Sequence, residues 1–444
     1  MARGWAARRW RSEWWTTPVL ALYICLAAGY VALWLQAAGP DWFARADFTS
    51  FYAGWAIVRD GRGAALYDLA VQGESQAAAL PGVRFAGGVL PYVNPPHLTL
   101  PFVPLAWLPR PVAFTVWTLV QLGLLAWLVR WLWRDVAAGW PLRERRLLVA
   151  GLLAFHPLLH SFLLGAFSLL LLVVLARLHA ALSAGRERSA GLWLLLGTLK
   201  PQLVLLPGVM ALAAGRWRVL ATAAFGGGLL AVAATGLLGG RTWDDYLRLT
   251  RDFMLLFDRM GVDPSLMWNA RGTLASWLGP QQAALINTVS MALVALAAAS
   301  VWRLWRAPWR PGTTDFDLRF ALTVLLGLLT APHLFPHDGL LLVLPAALGY
   351  RALRDRAGHG RPDAALLLAS PPLCLLAEWT AGGRLGVRLP VLIALTLAAR
   401  LALALRHGWH GQPALPAAAG DGGVWSGQSL PASASDRKAR SSRQ

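Results

Sequence analysis

Residues 190–218 read AGLWLLLGTLKPQLVLLPGVMALAAGRWR, and this stretch decides how the chain is interpreted. Two apolar halves flank the pair Lys200 and Pro201, and arginines lie close to both ends, at Arg188 and Arg216. Proline interrupts a helix because it lacks the backbone donor, and a lysine at membrane depth is unfavourable unless it is paired or solvated. The pattern therefore predicts two half-helices that dip into a membrane and return, meeting near its outer face at Lys200.

The composition of the whole chain supports a membrane protein. Of the 444 residues, 57% are hydrophobic and only 14% are charged, with a mean hydropathy of +0.49. Soluble domains carry about 25% charged residues, so too few charges remain here to cover a water-exposed surface. The apolar residues also fall into repeated runs that are long enough to cross a bilayer.

The formal net charge of +19 does not indicate a nucleic-acid partner. The arginines lie in short loops between apolar runs, such as Arg143, Arg145 and Arg146, where the positive-inside rule places them. We therefore expect no nucleic-acid binding. The two cysteines, Cys25 and Cys374, lie inside apolar runs and provide neither a disulfide framework nor a metal site.

Apolar runs and arginine positions together predict an all-α polytopic membrane protein. We expect a bundle of about 9–12 transmembrane helices, with re-entrant or interfacial helices in the first outer loop. Residues 1–406 are predicted to form the membrane domain and residues 407–444 a disordered cytoplasmic tail, which is rich in Gly, Ala, Ser and Pro. The basic amino terminus is also placed in the cytoplasm. We expect the chain to cross the inner or plasma membrane many times.

The crossings themselves are predicted from the apolar runs. They are Thr17–Gln36, Val112–Trp133, Leu147–Leu159, Phe162–His179, Val219–Leu238, Ala283–Trp302, Leu318–Ala331, Gly339–Leu353, Ala364–Trp379 and Leu389–Leu405. Between them, Ser50–Val58 is predicted as a short interfacial helix, and the proline-broken residues 95–111 as a re-entrant or interfacial segment. Residues 239–281 are predicted as a polar outer loop with solvated aspartates.

Polar residues beside or within apolar spans carry the most information, because each is unfavourable in a membrane unless it is paired or solvated. The predicted topology places nine such residues on the outer face: Asp47, Tyr92, Asn94, Lys200, Asn269, Arg271, His333, His337 and Asp338. Acids, a lysine, an arginine and two histidines on one face form a candidate site for an anionic substrate. These residues lie on five separate segments, so their convergence depends on the fold.

Each of these residues also has a purely structural interpretation. Asp47 is compatible with capping the helix that follows it, and Lys200 with snorkelling to the membrane surface. His333 and His337 have the i, i+4 spacing of a metal site, but a proline interrupts that helix and no third ligand has a fixed spacing. We therefore predict no metal site and no cofactor, and the sequence leaves a divalent cation open.

Five motifs, taken in order, resemble a known family. They are DFTSFYAGWAIVRDGRGAALYD at residues 47–68, YVNPPHLTLPFVPLAWLP at 92–109, LKPQL at 199–203, WNARG at 268–272 and APHLFPHDGLLLVLP at 331–345. This ordered set is similar to glycosyltransferase family 87, which includes mannosyltransferases that use polyprenyl-phosphate mannose. The resemblance extends over roughly residues 17–353, and no single motif is specific by itself.

The resemblance implies a membrane fold of the GT-C type and an inverting transfer of a hexose, mannose in the first instance, from a polyprenyl-phosphate donor to a lipid or glycan acceptor. The aspartate of the first loop matches Asp47 and is expected to act as general base. The lysine matches Lys200, and the later histidine matches His333 or His337. Many members carry Gly-Gln where this chain has Gly165 and Ala166, which puts an amide contact there in doubt.

The chemistry of the residues agrees with that expectation. Inverting transfer needs one carboxylate to take the proton of the acceptor hydroxyl, whereas the hydrolases use two. The leaving phosphate gains charge and needs cations, for which Lys200, Arg271 and a protonated histidine are candidates. The spans beside the site are expected to hold the polyprenyl chain among the membrane lipids.

Two other classes of protein compete with a transferase. A transporter or flippase of lipid-linked saccharides needs charged groups along a path through both leaflets, and the inner halves of these spans carry little beyond arginines at their ends. A non-catalytic assembly factor gives no reason for Lys200 to interrupt an apolar segment. We therefore rank the transferase above the transporter, and the transporter above the assembly factor.

Overall fold

The structure is a computed structural model, and it describes residues 16–37, 47–82, 88–255, 263–354, 370–376 and 389–406. All of these residues belong to one compact unit, Met1–Ala414. Within them every regular element is a helix. The predicted cytoplasmic amino terminus and the tail at 407–444 lie outside the described residues, as does most of the predicted crossing Ala364–Trp379.

The described residues of the first half of the chain form nine α-helices. They are α1 (Thr16–Gln36), α2 (Asp47–Arg59), α3 (Leu69–Ala79), α4 (Arg110–Trp131), α5 (Leu142–Leu153), α6 (His156–Leu164), α7 (Ser168–Ser183), α8 (Glu187–Gly197) and α9 (Pro201–Ala213). Between α3 and α4, the proline-rich segment forms the 3-10 helices Pro96–Leu98 and Leu100–Trp107. Neither is long enough to cross a membrane, which agrees with the prediction for residues 95–111.

The described residues of the second half add further α-helices. They are α10 (Trp217–Leu238), α11 (Arg241–Leu255), α12 (Ala270–Leu278), α13 (Ala283–Trp305), α14 (Thr314–Thr330), α15 (Val343–Arg354) and α16 (Leu389–Arg406), with helical residues at 370–376 before α16. A 3-10 helix, Pro336–Leu342, leads directly into α15.

The all-helical, polytopic membrane class is confirmed. Five of the described helices are long and apolar enough to span a bilayer: α1, α4, α10, α13 and α16, where α4 continues to Val136 and α13 starts at Pro280. The bent pair α5 and α6 makes a sixth if it forms one broken span. Shorter apolar helices such as α7 and α9 add to these. The total number of crossings and their orientation stay predictions.

The predicted break at Lys200 is confirmed. Helix α8 ends at Gly197, and α9 begins at Pro201, which occupies the first turn and needs no backbone donor there. Lys200 is the residue immediately before α9, in a non-helical conformation. The lysine therefore lies at the junction of two half-helices, as the sequence predicts.

The predicted hairpin of Leu147–Leu159 and Phe162–His179 is wrong in its boundaries, because three helices occupy this region. The separate helix α6 begins at His156, with Pro157 in its first turn, and is bent by 41° from α5. Gly165 then ends α6 with a left-handed φ of +66°, a conformation that favours glycine. The reversal therefore lies at residues 165–167, which brings Ser168 to the start of α7.

The prediction of a polar loop at 239–281 is also wrong. Helix α11 is amphipathic: Thr242 and Leu249 are buried, whereas Asp244 and Arg248 are exposed. A period of 3.6 residues places the apolar side chains on one face despite the high charge. The predicted interfacial helix Ser50–Val58 does form, within α2, but its aromatic residues are packed inside the protein.

Candidate active site

Asp338 lies at the centre of the polar cluster at one end of the helices. Its carboxylate oxygens are 2.6 and 2.7 Å from the Nζ of Lys200, and Oδ1 also accepts a 2.7 Å hydrogen bond from Ser168. The Asp338 side chain is 0% exposed and that of Lys200 is 11% exposed. The break before α9 and the start of α7 therefore meet at the 3-10 helix Pro336–Leu342.

His337 lies between two carboxylates. Its Nε2 is 3.8 Å from Oδ2 of Asp47 and 3.5 Å from Oδ2 of Asp338. Both distances exceed a normal hydrogen bond, so the ring is near both acids without being fixed to either. Asp47 is the first residue of α2 and keeps 37% of its side-chain surface exposed. The structure thus brings the two ends of the chain's motif set together.

The two acids of the cluster differ in their electrostatic environment. Partial burial raises the pKa of Asp47 to about 6, with the positive charge of Lys200 opposing the shift and the negative charge of Asp338 adding to it. For Asp338, burial also acts to raise the pKa, but Lys200 and the neighbouring histidines outweigh it and hold the pKa well below its usual range. Asp338 is therefore a fixed carboxylate, and Asp47 titrates near neutrality.

Both histidines of the cluster are neutral at pH 7. The pKa of His337 is lowered to about 3 and that of His333 to about 4, mainly by burial; Lys200 acts in the same direction and Asp338 opposes the shift. These environments do not favour a charged imidazole, and a protonated histidine beside a leaving phosphate stays a prediction. The amide nitrogen of Gln202 is 3.2 Å from Nδ1 of His333 and can only donate there. With the amide in this orientation, Nδ1 of His333 accepts the hydrogen bond, and the ring proton is assigned to Nε2.

Asn269 and Arg271 lie at the start of α12 and fix its position. Asn269 caps α12 by accepting from the backbone of Gly272 at 2.8 Å, and its amide donates to the carbonyl of Ala331 at 2.7 Å. Arg271 donates to Asn287, and burial lowers its pKa to about 10, so it remains a cation at pH 7. Its charge contributes to the lowered pKa of His333, which places it within electrostatic range of the cluster.

Tyr92 and Asn94 do not join this cluster through their described contacts. The Tyr92 hydroxyl is 2.8 Å from Oγ1 of Thr99, and the backbone carbonyl of Asn94 accepts from the hydroxyl of Tyr67 at 2.5 Å. Both residues are buried. The ring of Tyr92 also covers Gly54 of α2 so closely that a Cβ there would lie 2.6 Å from it. Tyr92 therefore packs against α2, and among the described residues the hydrogen-bond partners of Tyr92 and Asn94 lie outside the cluster.

Three residues in or near the cluster were not predicted. Ser168 bonds Asp338, Gln202 bonds His333, and His160 lies close enough for its charge to lower the pKa of His337. Gln202 could have been suspected because it lies two residues after Lys200. Ser168 carries no signal in the sequence, since a serine at a helix start is common.

The departure from the family pattern at Gly165 and Ala166 lies beside the cluster, two residues before Ser168. The Gly165 carbonyl accepts from the indole of Trp117 at 2.8 Å, and the Ala166 carbonyl accepts from the amide of Gln121 at 3.2 Å. An amide is therefore present next to Ala166, supplied by α4. Among the described residues, no group of three or more His, Cys, Asp or Glu side chains is arranged to hold a metal ion.

A second buried charge cluster occupies the other end of the same helices. Asp317 of α14 accepts from His179 of α7 at 2.7 Å and from Arg351 of α15. Ser168 and His179 lie on one helix, about 16 Å apart along its axis. The two clusters tie α7 and α15 at both ends, but only the first contains an acid that is partly open to solvent.

The fold and the cluster define a polytopic membrane protein with an open carboxylate, a buried lysine–aspartate pair and neutral histidines at one end of its helices. A family model for glycosyltransferase family 87 matches residues 92–332, which is more than half of the chain. The chain therefore belongs to glycosyltransferase family 87 and is a membrane glycosyltransferase. Neither the curated proteins nor the solved structures that were compared with it gave a match.

The matched region does not cover the whole cluster. It contains Lys200 and Arg271, whereas Asp47 and the pair His337 and Asp338 lie outside it. The family membership thus supports the transferase class. The roles of Asp47, His337 and Asp338, which lie outside the matched region, depend on the geometry.

Proposed function

We propose that the protein transfers a hexose, with mannose as the first candidate, from a polyprenyl-phosphate donor to a hydroxyl of a lipid or glycan acceptor, with inversion and with Asp47 as general base. The proposed site faces the extracytoplasmic side of the membrane. One observation carries this proposal: in the described cluster, Asp47 is open and has a pKa of about 6, whereas Asp338 is buried and held by Lys200. A base of that pKa is ionised at pH 7 and still accepts a proton in the transition state.

The proposed step balances with this single carboxylate. The acceptor oxygen forms a bond to the anomeric carbon, and its proton passes to Oδ2 of Asp47. The bond from the anomeric carbon to the phosphate oxygen breaks on the opposite face, and the lipid phosphate leaves with the electron pair. His337, whose Nε2 is 3.8 Å from Asp47 Oδ2, is placed to orient the carboxylate after a small movement.

The leaving phosphate needs hydrogen-bond donors and positive charge beside it. Lys200 is bonded to both oxygens of Asp338, so its charge is largely matched before substrate binds. The neutral His333, which carries its proton on Nε2, supplies a hydrogen bond without a charge. Arg271 supplies the remaining cation, since it is charged at pH 7. We assign the phosphate to these two side chains.

The test is a transfer assay in membranes with labelled polyprenyl-phosphate mannose and extracted lipid acceptors. Asp47→Asn is expected to lose about 10²–10⁴-fold in rate, the usual contribution of general base catalysis. Asp60→Asn, which makes the same change at an exposed acid paired with Arg59, is the matched control and should retain wild-type transfer.

Two outcomes would contradict the proposal in different ways. Equal transfer by wild type and Asp47→Asn would remove the base assignment while leaving the donor intact. Transfer from a nucleotide sugar and none from the polyprenyl-phosphate sugar would show that the donor class is wrong.

A further inference from the structure

An elongated apolar cavity of about 150 Å³ lies between α5 and α15, with α1, residues 370–376 and α16 completing its walls. Its lining is made mostly of Leu, Ala, Val and Ile side chains. A single buried water needs about 10–15 Å³ in the same measure, so the cavity has room for roughly ten such groups. Apolar cavities bind apolar molecules in preference to water. The occupant therefore has an apolar body.

One end of the cavity is polar and aromatic. Arg354 donates to Glu144 at 2.8 Å, and its guanidinium lies 5.7 Å from the centre of the Trp140 ring. Tyr350 packs edge-on against Trp140, with ring centroids 4.9 Å apart. Glu144, Trp140 and Tyr350 all line the cavity. Trp and Tyr beside an arginine are typical of the headgroup level of a membrane.

The other end of the cavity lies near the 3-10 helix Pro336–Leu342. Phe155 and Leu342 form that end, and behind them α6 packs against the 3-10 helix Pro336–Leu342. The packing there is tight, because a Cβ at Gly339 would lie 3.3 Å from Pro157. No residue of the Asp47–Asp338 cluster lines the cavity. A lipid bound there does not reach the candidate active site.

We infer that this cavity binds one acyl chain of a membrane glycerophospholipid, with the headgroup at Arg354 and Glu144. A chain inserted from the polar end places a phosphate on the guanidinium side of the Arg354–Glu144 ion pair and an ethanolamine ammonium on its carboxylate side, so a zwitterionic headgroup extends the ion pair. The isoprenoid chain of the donor fits less well, because its phosphate belongs at the candidate active site, beyond the opposite end of the cavity. This site is independent of the proposed transferase chemistry.

The inference is tested on the full-length protein purified in mild detergent. Phospholipid retained after extensive detergent washing is measured by native mass spectrometry and by lipid extraction. The wild type is expected to retain about one glycerophospholipid per chain, and its thermal midpoint should rise when phosphatidylethanolamine is added to the micelles. Arg354→Gln should weaken the preference for that headgroup.

A matched pair of substitutions locates the bound chain. Ala346 lines the cavity, so Ala346→Trp should fill it, abolish most of the retention and remove the stabilisation by added lipid. Ala224 is exposed on α10, and Ala224→Trp should behave as the wild type. A photoreactive acyl phosphatidylethanolamine should label wild-type peptides from α5 and α15, which tests the site without a bulky variant.

Three results would overturn the inference. These are equal retention by wild type and Ala346→Trp, retention of an isoprenoid lipid in place of a glycerophospholipid, and labelling confined to helices that do not line the cavity. A wild type that retains no lipid would also overturn it, because the cavity is then filled by the chain itself.

Discussion

Replacing Lys200 with Met removes one partner of the buried pair at the centre of the candidate active site. The Asp338 carboxylate then keeps its 2.7 Å bond from Ser168 and its neighbour His337, but it has no full countercharge in contact. Breaking a buried pair in this way costs about 3–5 kcal/mol, because the remaining charge is still desolvated. We expect a loss of stability of that order at pH 7, together with loss of transfer.

The stability of Lys200→Met relative to wild type should change with pH in the direction opposite to the stabilisation by the ion pair in wild type. In wild type the pKa of Asp338 is held below its usual range, so its stabilising contribution is complete above about pH 4 and is lost only as the pH falls further. Without the lysine, burial raises that pKa above its usual value. The folded variant then takes up a proton that the unfolded chain does not, so its stability relative to wild type should increase as the pH is lowered from 8 to 5.

The assay is thermal or denaturant unfolding in detergent at several pH values, compared with wild type at each. Arg62→Met serves as the control, because it breaks the 2.9 Å pair with Glu74, whose side chains are 48% and 63% exposed. Exposed pairs contribute about 0–1 kcal/mol. The double variant Lys200→Met/Asp338→Asn should recover much of the stability without recovering transfer. A Lys200→Met protein as stable as wild type, or one that weakens further relative to it at low pH, would refute the reasoning.

Three further outcomes are expected. Because the base must be ionised and burial raises the pKa of Asp47 to about 6, kcat/KM should fall about tenfold per pH unit below that value; a profile flat from pH 5 to 8 would contradict the assignment. Gln202→Glu should place an acceptor opposite Nδ1 of His333, which moves the ring proton to Nδ1 and raises the pKa of His333. A second titration should then appear in the pH profile of kcat/KM. Gln202→Leu should lower kcat without adding that titration. Gly339→Val should cost about 1–3 kcal/mol through overpacking, since a Cβ there would lie 2.7 Å from the Trp268 ring; unchanged unfolding would show that this ring moves aside freely.

The sequence gives correct expectations where a local signal acts alone. The break at Lys200 follows from a proline that cannot continue a helix, and the structure places α9 at Pro201. The hairpin around His156 and Ser168 is predicted with wrong boundaries, since hydropathy does not register a bend within one apolar run. The helix α11 is missed because its charged face dominates the composition.

The candidate site divides in the same way. Residue type and predicted topology select Asp47, Lys200, His333, His337 and Asp338, and the structure brings all five together. The same reasoning selects Tyr92 and Asn94 as well, but the Tyr92 hydroxyl faces Thr99, and the backbone carbonyl of Asn94 accepts from Tyr67. A polar residue near an apolar span is equally compatible with substrate binding and with support of a neighbouring helix. Only the contacts distinguish the two.

The amino-acid sequence by itself determines that this chain is a helical membrane protein, because the transfer of apolar runs out of water depends on composition and length alone. It also determines that Lys200 lies at a helix junction. The tertiary structure decides that Lys200 is matched by Asp338 and that Asp47 keeps the open carboxylate. It decides too that burial lowers the pKa of both histidines. The reason is physical: a pKa depends on burial and on charges a few ångströms away, and these neighbours come from segments more than a hundred residues apart in the chain.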